Sequence, residues 1–307
     1  MIVSYTPARL RAANTHEVSD ALERGAIVHF PQSPVPLPAV EDLAFLREQL
    51  PRQLHVKNVS YHPESDRLHG VKDDPALRER AYRVLKAHSR NVETFLHASI
   101  PALTDGWTVG TSSFRPIEEK GRNLDPHASN ELVHVDAGAY GATHGDHILR
   151  FFVNVNPNTD RVWATKGAFP HLFERYGAAA GIAGAHALER GPVDQLRSTF
   201  LKSLVRLGVK EAMIVDSSPY DRLMRRFHNY MKDTPEFQAG REDYEELRFA
   251  PWSAWMVFTD AVSHASISGQ HALVNTFIVR LDACRLPELA PINILRTGGA
   301  GAGRAAS

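Results

Sequence analysis

Two runs of short β-branched and aromatic segments constrain this chain more than any other feature. The first, WTVGTSSF, ELVHVDA, HILRFFVNVNP and DRVWAT, occupies about 107–168, and the second, ELRFAP, SAWMVFTD, SHASISG and HALVNTFIVRLD, about 246–284. Gly, Pro, Asn and Asp separate the segments, as they do between strands of a sheet or barrel. The stretch between the runs, about 170–245, is helical in pattern: PHLFERYG, an alanine-rich piece near 178–188, VDQLRSTFLKSLVRLG and DRLMRRFHNYMKD. One barrel closed by both runs, with a helical insertion between them, is the economical arrangement.

The first part of the chain, about 1–105, reads as mostly helical. AIVHFP, 26–31, is a short strand stopped by proline, and Pro38 to Leu50 resembles a helix. The clearest helix runs from Pro75 to about Ser99. Asp74 suits its N-cap and Pro75 its first position, while Leu77, Ala81, Val84, Leu85, Val92, Phe95 and Leu96 recur at helical spacing. No internal repeat and no long polar linker interrupts the pattern. A single α+β domain over 1–296 is therefore expected, followed by a low-complexity tail, 297–307, expected to be disordered.

With 307 residues, 43% of them apolar, the chain can bury a sizeable core. Its 35 basic and 35 acidic residues cancel, so the electrostatic footprint of a nucleic-acid binder is missing. Cys284 is the single cysteine, which excludes an internal disulfide and a CxxC metal site. The N-terminus lacks the charged and apolar regions of a signal peptide. No run approaches the roughly 18–20 apolar residues that span a bilayer. The expectation is a cytoplasmic protein, with peripheral membrane contact and homo-oligomer formation left open.

Sixteen histidines make metal ligation worth searching for. His-x-Asp can place two ligands on one face of a strand, because residues two apart point the same way. A histidine from another strand completes a 2-His-1-carboxylate face with open positions, the arrangement of non-haem iron(II) oxygenases. The motif occurs twice, a frequency that chance alone approaches. His134-Val135-Asp136 lies in the strand-like ELVHVDA, and His144-Gly145-Asp146 lies between glycines in YGATHGDH. A loop holds ligands less firmly than a strand, so the first pair is preferred. His144 is then a turn residue or a substrate contact at the mouth. The third ligand is expected from the second run: His264, after the apolar WMVFTDAVS, in preference to His271 in the turn SGQHA.

In HILRFFVNVNP, period-two alternation puts Arg150 and Asn154 on one face with Ile148, Phe152 and Asn156. Leu149, Phe151, Val153 and Val155 form the other, more apolar face. Buried polar groups need partners. An acidic ligand inside the barrel would supply one for Arg150 as a guanidinium–carboxylate pair; the bland alternative is that this face meets solvent.

ELVHVDA, GDHILRFFVNVNPNTDRVW, WMVFTDAVSHASISGQHALVNTFIV and GTSSFRPIE (110–118) together closely resemble the Kdo hydroxylase family. These bacterial iron(II)/2-oxoglutarate oxygenases hydroxylate carbon 3 of the sugar acid Kdo in the inner core of lipopolysaccharide. The resemblance is strongest over about 107–285; the first 70 residues and the tail carry little of it. It implies a double-stranded β-helix with helical additions and iron held by His134, Asp136 and His264. It implies 2-oxoglutarate and O2 as co-substrates, succinate and carbon dioxide as products, and 2-oxoglutarate lying along the strand of Arg150 and Asn154. Related oxygenases anchor the distal carboxylate there or on the last barrel strand, which nominates Arg280. The implied acceptor, Kdo-lipid A, is a sugar carboxylate on a phosphate-bearing lipid. Arg115, His127, His144 and Arg161 are the candidate contacts for it, with Lys120 and Arg122 in an exposed loop. The rival readings are the same fold acting on another small acid or a protein side chain, a cupin-like metal enzyme without 2-oxoglutarate, and a non-catalytic sugar-binding barrel.

Overall fold

A computed structural model describes residues 2–54, 58–72, 74–122, 124–138, 141–183, 188 and 218–299. The chain opens with β1 (Ile2–Ser4), α1 (Pro7–Ala12), α2 (Glu17–Glu23), β2 (Ile27–Phe30) and α3 (Val40–Ala44). β3 (Val59–His62) and β4 (Arg67–His69) lead into the long α4 (Pro75–Ser99). Next come β5 (Thr108–Arg115), β6 (His147–Asn154), β7 (Arg161–Thr165), α5 (Phe169–Tyr176), α6 (Pro219–Asp233) and α7 (Pro235–Ala239). β8 (Glu245–Phe249), β9 (Ala254–Phe258), β10 (Ala265–Ser268), β11 (Ala272–Val279) and α8 (Pro291–Thr297) complete the described elements.

The strands form two sheets, one of eight strands ordered β1-β2-β9-β6-β11-β5-β3-β4 and one of three ordered β10-β7-β8. Both predicted runs contribute to each sheet. β6, from the first run, pairs antiparallel with β9 and β11, from the second, and β7 pairs with β8 and β10. The N-terminal part is less helical than expected, since β1 and β2 extend one edge of the large sheet and β3 and β4 the other. Of these only β2 was legible. All four are three or four residues long, too short to display alternation; β2 was legible only through its apolar run stopped at Pro31.

Alternation along β6 divides the interior. Leu149, Phe151 and Val153 join Met256, Phe258, Leu273 and Phe277 against Val84, Leu85, Val92 and Leu96 of α4, with the Phe95 and Phe151 ring centroids 5.8 Å apart. α4 starts where predicted, its first turn capped by the Asp74 carboxylate, which accepts from the Leu77 N–H at 3.1 Å. On the other face Phe152, Trp255, Val257 and Val274 meet Trp163 of β7 and Leu247 and Phe249 of β8. Trp255 stacks on Phe152 at 5.0 Å and on Phe249 at 3.9 Å, and each such buried ring contributes ~1.5–3 kcal/mol. The large sheet thus lies between a helical layer and the small sheet. The face carrying Arg150 lies between the two sheets, away from bulk solvent.

A third cluster packs α5 to α8 against Val133 and Val135. The helix expected over 38–50 is interrupted: α3 gives way to a wider π turn over Phe45–Gln49 and a tight turn over Leu50–Gln53, where Pro51 has no N–H to continue the ladder. VDQLRSTFLKSLVRLG, part of the alanine-rich piece and the tail from residue 300 lie outside the described residues.

Candidate metal centre

ELVHVDA belongs to neither sheet and bends at both ends; its only strand-like pairing among the described residues is the isolated antiparallel bridge His134↔His264. These two residues exchange both backbone hydrogen bonds, the His134 N–H donating to the His264 carbonyl at 3.1 Å and the reverse bond measuring 2.8 Å. The Asp136 N–H donates to the Thr259 carbonyl at 2.8 Å. On the outer edge, side chains replace a neighbouring strand. Gln238 of α7 accepts the Val133 N–H through Oε1 at 3.0 Å and donates Nε2–H to the Val133 carbonyl at 2.9 Å. His228 of α6 donates Nδ1–H to the Val135 carbonyl at 2.8 Å. The piece from Val133 to Asp136 is therefore held in place without a ladder, and the two-residue period survives. Val133 and Val135 face the helical cluster, and His134 and Asp136 face the space between the sheets.

One ligand atom from each of His134, Asp136 and His264 lies within 4.8 Å of the others, and all three residues are buried; this is the one such cluster among the described residues. Each ring is fixed by its own backbone: His134 Nδ1–H donates to the Leu132 carbonyl at 2.7 Å, and His264 Nδ1–H to the Val262 carbonyl at 3.1 Å. The lone pairs at Nε2 are thereby left over, 3.7 and 4.0 Å from Asp136 Oδ1. Those separations exceed hydrogen-bond length. Asp136 Oδ2 is sealed from solvent and accepts no hydrogen bond. The Arg150 guanidinium, 3.0 Å away, gives an ion pair without hydrogen-bond alignment. Three convergent acceptor atoms, two imidazole and one carboxylate, fit a divalent cation such as iron(II).

The charges suit that role. Burial alone would raise the Asp136 carboxyl, but Arg150 and the two histidines outweigh it and hold the group well below the usual carboxylate range. Burial, aided by His134, pushes His264 down to about 3. Neutral imidazole and ionised carboxylate are the forms a metal requires.

The cluster opens into a cavity of about 310 Å³. Arg115 of β5 and Arg150, Phe152 and Trp163 wall it on the sheet side; His127 and Asn130 stand at the rim, and His228 and Lys232 project from α6. Arg115 makes no hydrogen bond or ion pair within the described protein, its Nε is sealed, and its guanidinium lies 6.0 Å from the centre of the Phe152 ring. Burial pushes it down to about 10, with Arg150 and Arg161 adding to the effect. A guanidinium in that setting calls for an anion.

Of the residues singled out from sequence, His134, Asp136, His264, Arg115, His127 and Arg150 meet at this cavity. Asn154 does not join them. Its amide donates to the Thr159 and Phe249 carbonyls and accepts the Asn156 N–H, so every polar atom is committed to backbone. Arg280 is half-exposed and paired with Asp282, not on the cavity wall. Arg161 is buried, but its guanidinium is taken by the Gly269 carbonyl, Ser266 Oγ and Glu119. His144 sits in a turn with φ 56°, its N–H and that of Thr143 donating to Asp221. Next to it, His147 is buried with Nδ1 2.8 Å from Asp260, whose other oxygen accepts the Ile148 N–H. Sequence reasoning missed His228, Lys232 and Gln238. The four-residue spacing of His228 and Lys232 on one helix face was the only available signal.

The family model for 3-deoxy-D-manno-oct-2-ulosonic acid (Kdo) hydroxylase matches residues 7–300. Among solved structures, the Kdo hydroxylase KdoO, a non-haem Fe(II) and α-ketoglutarate-dependent dioxygenase, is similar in its apo form at TM-score 0.79 and 28% identity, covering 96% of this chain and 95% of that one. The KdoO complex with α-ketoglutarate and Fe(III) gives the same values. The cobalt(II) complex gives TM-score 0.80 at 28% identity and the same coverage. No curated protein matches.

Proposed function

Because the chain belongs to the Kdo hydroxylase family, we propose that its activity is built on His134, Asp136 and His264 as iron(II) ligands, with Arg150 and Arg115 receiving two carboxylates. The protein is an iron(II)- and 2-oxoglutarate-dependent dioxygenase that hydroxylates Kdo. When bound, iron(II) and 2-oxoglutarate supply an oxidant made from O2 that replaces a substrate C–H hydrogen by hydroxyl, leaving succinate and carbon dioxide. Carbon 3 of Kdo in the lipopolysaccharide inner core is the proposed position. The large sheet and β10-β7-β8 are read as the two walls of a double-stranded β-helix.

The chain's own residues bind, orient and exclude water. His134 and His264 are oriented by their backbone bonds, so no reorganisation is needed to present Nε2. Arg150, beside Asp136, takes the distal carboxylate of 2-oxoglutarate. Arg115, whose guanidinium forms no ion pair among the described residues and whose Nε is unpartnered, takes the carboxylate of the sugar acid, with His127 at the rim. Phe152 and Trp163 keep the wall apolar, which strengthens each charge pair. A lipid-linked acceptor would approach over the loop before His127, where Ile117 and Leu124 are exposed. No helix among the described residues is long and apolar enough to cross a membrane, so contact would be peripheral, at the inner face of the membrane.

The observation that carries this reading is the reciprocal backbone pair His134/His264, which aims two imidazoles at one buried carboxylate. Anaerobic addition of iron(II) and 2-oxoglutarate is expected to give a weak visible charge-transfer band that Asp136→Ala abolishes. With Kdo-lipid A and air, hydroxylated acceptor and succinate should form in equal amounts. No band in the wild type overturns the metal assignment; a band without turnover of Kdo overturns the acceptor.

A further inference from the structure

We propose that His228 accepts a hydrogen bond from a hydroxyl group of the sugar acid at Nε2 and thereby fixes which carbon faces the metal. The inference rests on the reading of the cavity as a Kdo hydroxylase site and goes beyond it by assigning a residue that selects and orients the sugar.

The ring is held for this role by the protein. Its Nδ1–H donates to the Val135 carbonyl at 2.8 Å, and a neutral imidazole that donates at one nitrogen presents a lone pair at the other. Nε2 has no hydrogen-bond partner among the described residues, and it is not one of the atoms sealed from solvent. The residue lines the cavity, so that lone pair opens into the space above the metal ligands. The ring stands edge-on to His134, centroids 4.9 Å apart and planes at 77°, which places the acceptor beside the reacting centre.

Ligand chemistry separates the two molecules that must share the cavity. 2-Oxoglutarate at neutral pH carries two carboxylates and a keto group, so it has nothing to donate. An acceptor on this wall is idle toward it. A sugar acid brings several hydroxyl donors beside its carboxylate. The arginines on the sheet side suit the anionic groups, and the imidazole on α6 suits a hydroxyl. An acceptor built to take a substrate hydroxyl also rejects analogues that lack it, because the lone pair, covered once such an analogue binds, is then left unpaired.

Two variants separate this role from mere support of His134. In His228→Asn the amide nitrogen stands near the place of Nδ1 and still reaches the Val135 carbonyl, but nothing stands at Nε2. In His228→Gln the amide oxygen stands near the place of Nε2. Holoenzyme with iron(II) and 2-oxoglutarate is titrated anaerobically with Kdo, and hydroxylated Kdo per succinate is then measured in air. His228→Asn is expected to weaken Kdo binding about tenfold and to lower the product-to-succinate ratio, with iron(II) and 2-oxoglutarate affinities within about threefold of wild type; His228→Gln is expected to recover part of both. Wild-type Kdo affinity and ratio in His228→Asn overturn the proposal, and so does loss of iron(II) in both variants, which would make the residue a brace for His134. A wild type that consumes 2-oxoglutarate but binds no Kdo overturns the acceptor reading first, and this inference with it.

Discussion

At the scale of single residues, the cavity is a problem of unmatched charge. Arg115 and Arg150 face it with one protein carboxylate, Asp136, between them. A charge-assisted bond to a ligand carboxylate contributes ~1.5–3 kcal/mol, or roughly 10- to 100-fold in affinity. Arg150→Leu is expected to raise the KM for 2-oxoglutarate by that factor, and Arg115→Leu the KM for Kdo, both read from initial rates of succinate release. An exchange of the two effects would reverse the assignment. Away from the cavity, Glu119 is buried against Arg161 at 3.3 Å. Glu119→Ala removes the paired carboxylate from that guanidinium, which keeps its bonds to the Gly269 carbonyl and Ser266 Oγ, and is expected to cost about 3 kcal/mol in urea unfolding. Sequence singled out Arg150 and Asn154 on the same ground, a polar residue in an apolar strand. The signal was right about burial for Asn154, only partly so for Arg150, and silent about the partner: one side chain meets a carboxylate and open space, the other meets backbone groups that no local pattern reveals.

At the scale of elements, the segment from Leu132 to Asp136 depends on helices remote in sequence. Two-residue spacing made His134 and Asp136 readable as a pair, and the apolar run before His264 made it readable as the proposed third ligand. The missing ladder was not readable, because Gln238 and His228 supply its hydrogen bonds from α7 and α6. Gln238→Ala strips partners from both backbone groups of Val133. It is expected to cost about 2 kcal/mol and to weaken iron(II) binding in a metal titration. Unchanged iron affinity would show that the bridge to His264 suffices to hold the segment.

At the scale of the whole molecule, the buried His147–Asp260 pair ties the start of β6 to the loop between β9 and β10. Burial opposes protonation of His147, but Asp260 outweighs it and pushes the group up to about 10, above its ordinary 6.5. A raised pKa stabilises the fold fully below the unfolded value and is lost as pH rises through the folded one. Unfolding free energy should therefore decline between about pH 7 and 10, and His147→Asn should flatten that slope in urea titrations at each pH. Sequence resemblance was strongest over the strand runs, whereas the family match runs over residues 7–300. The first hundred residues contribute edge strands and the covering helix α4, roles met by many apolar sequences and therefore weakly marked. The mutual backbone pairing of His134 and His264 also orders events during synthesis. Chains emerge from the ribosome N-terminus first, so His134 and Asp136 appear while His264, the proposed third ligand, is still untranslated. Two ligands on an unpaired segment make a poor trap. With iron held by the three residues as proposed, the site would close only when the last strands arrive and the intervening loop has been drawn shut, so finished molecules would retain iron and a nascent half-site would be spared from holding a redox-active ion.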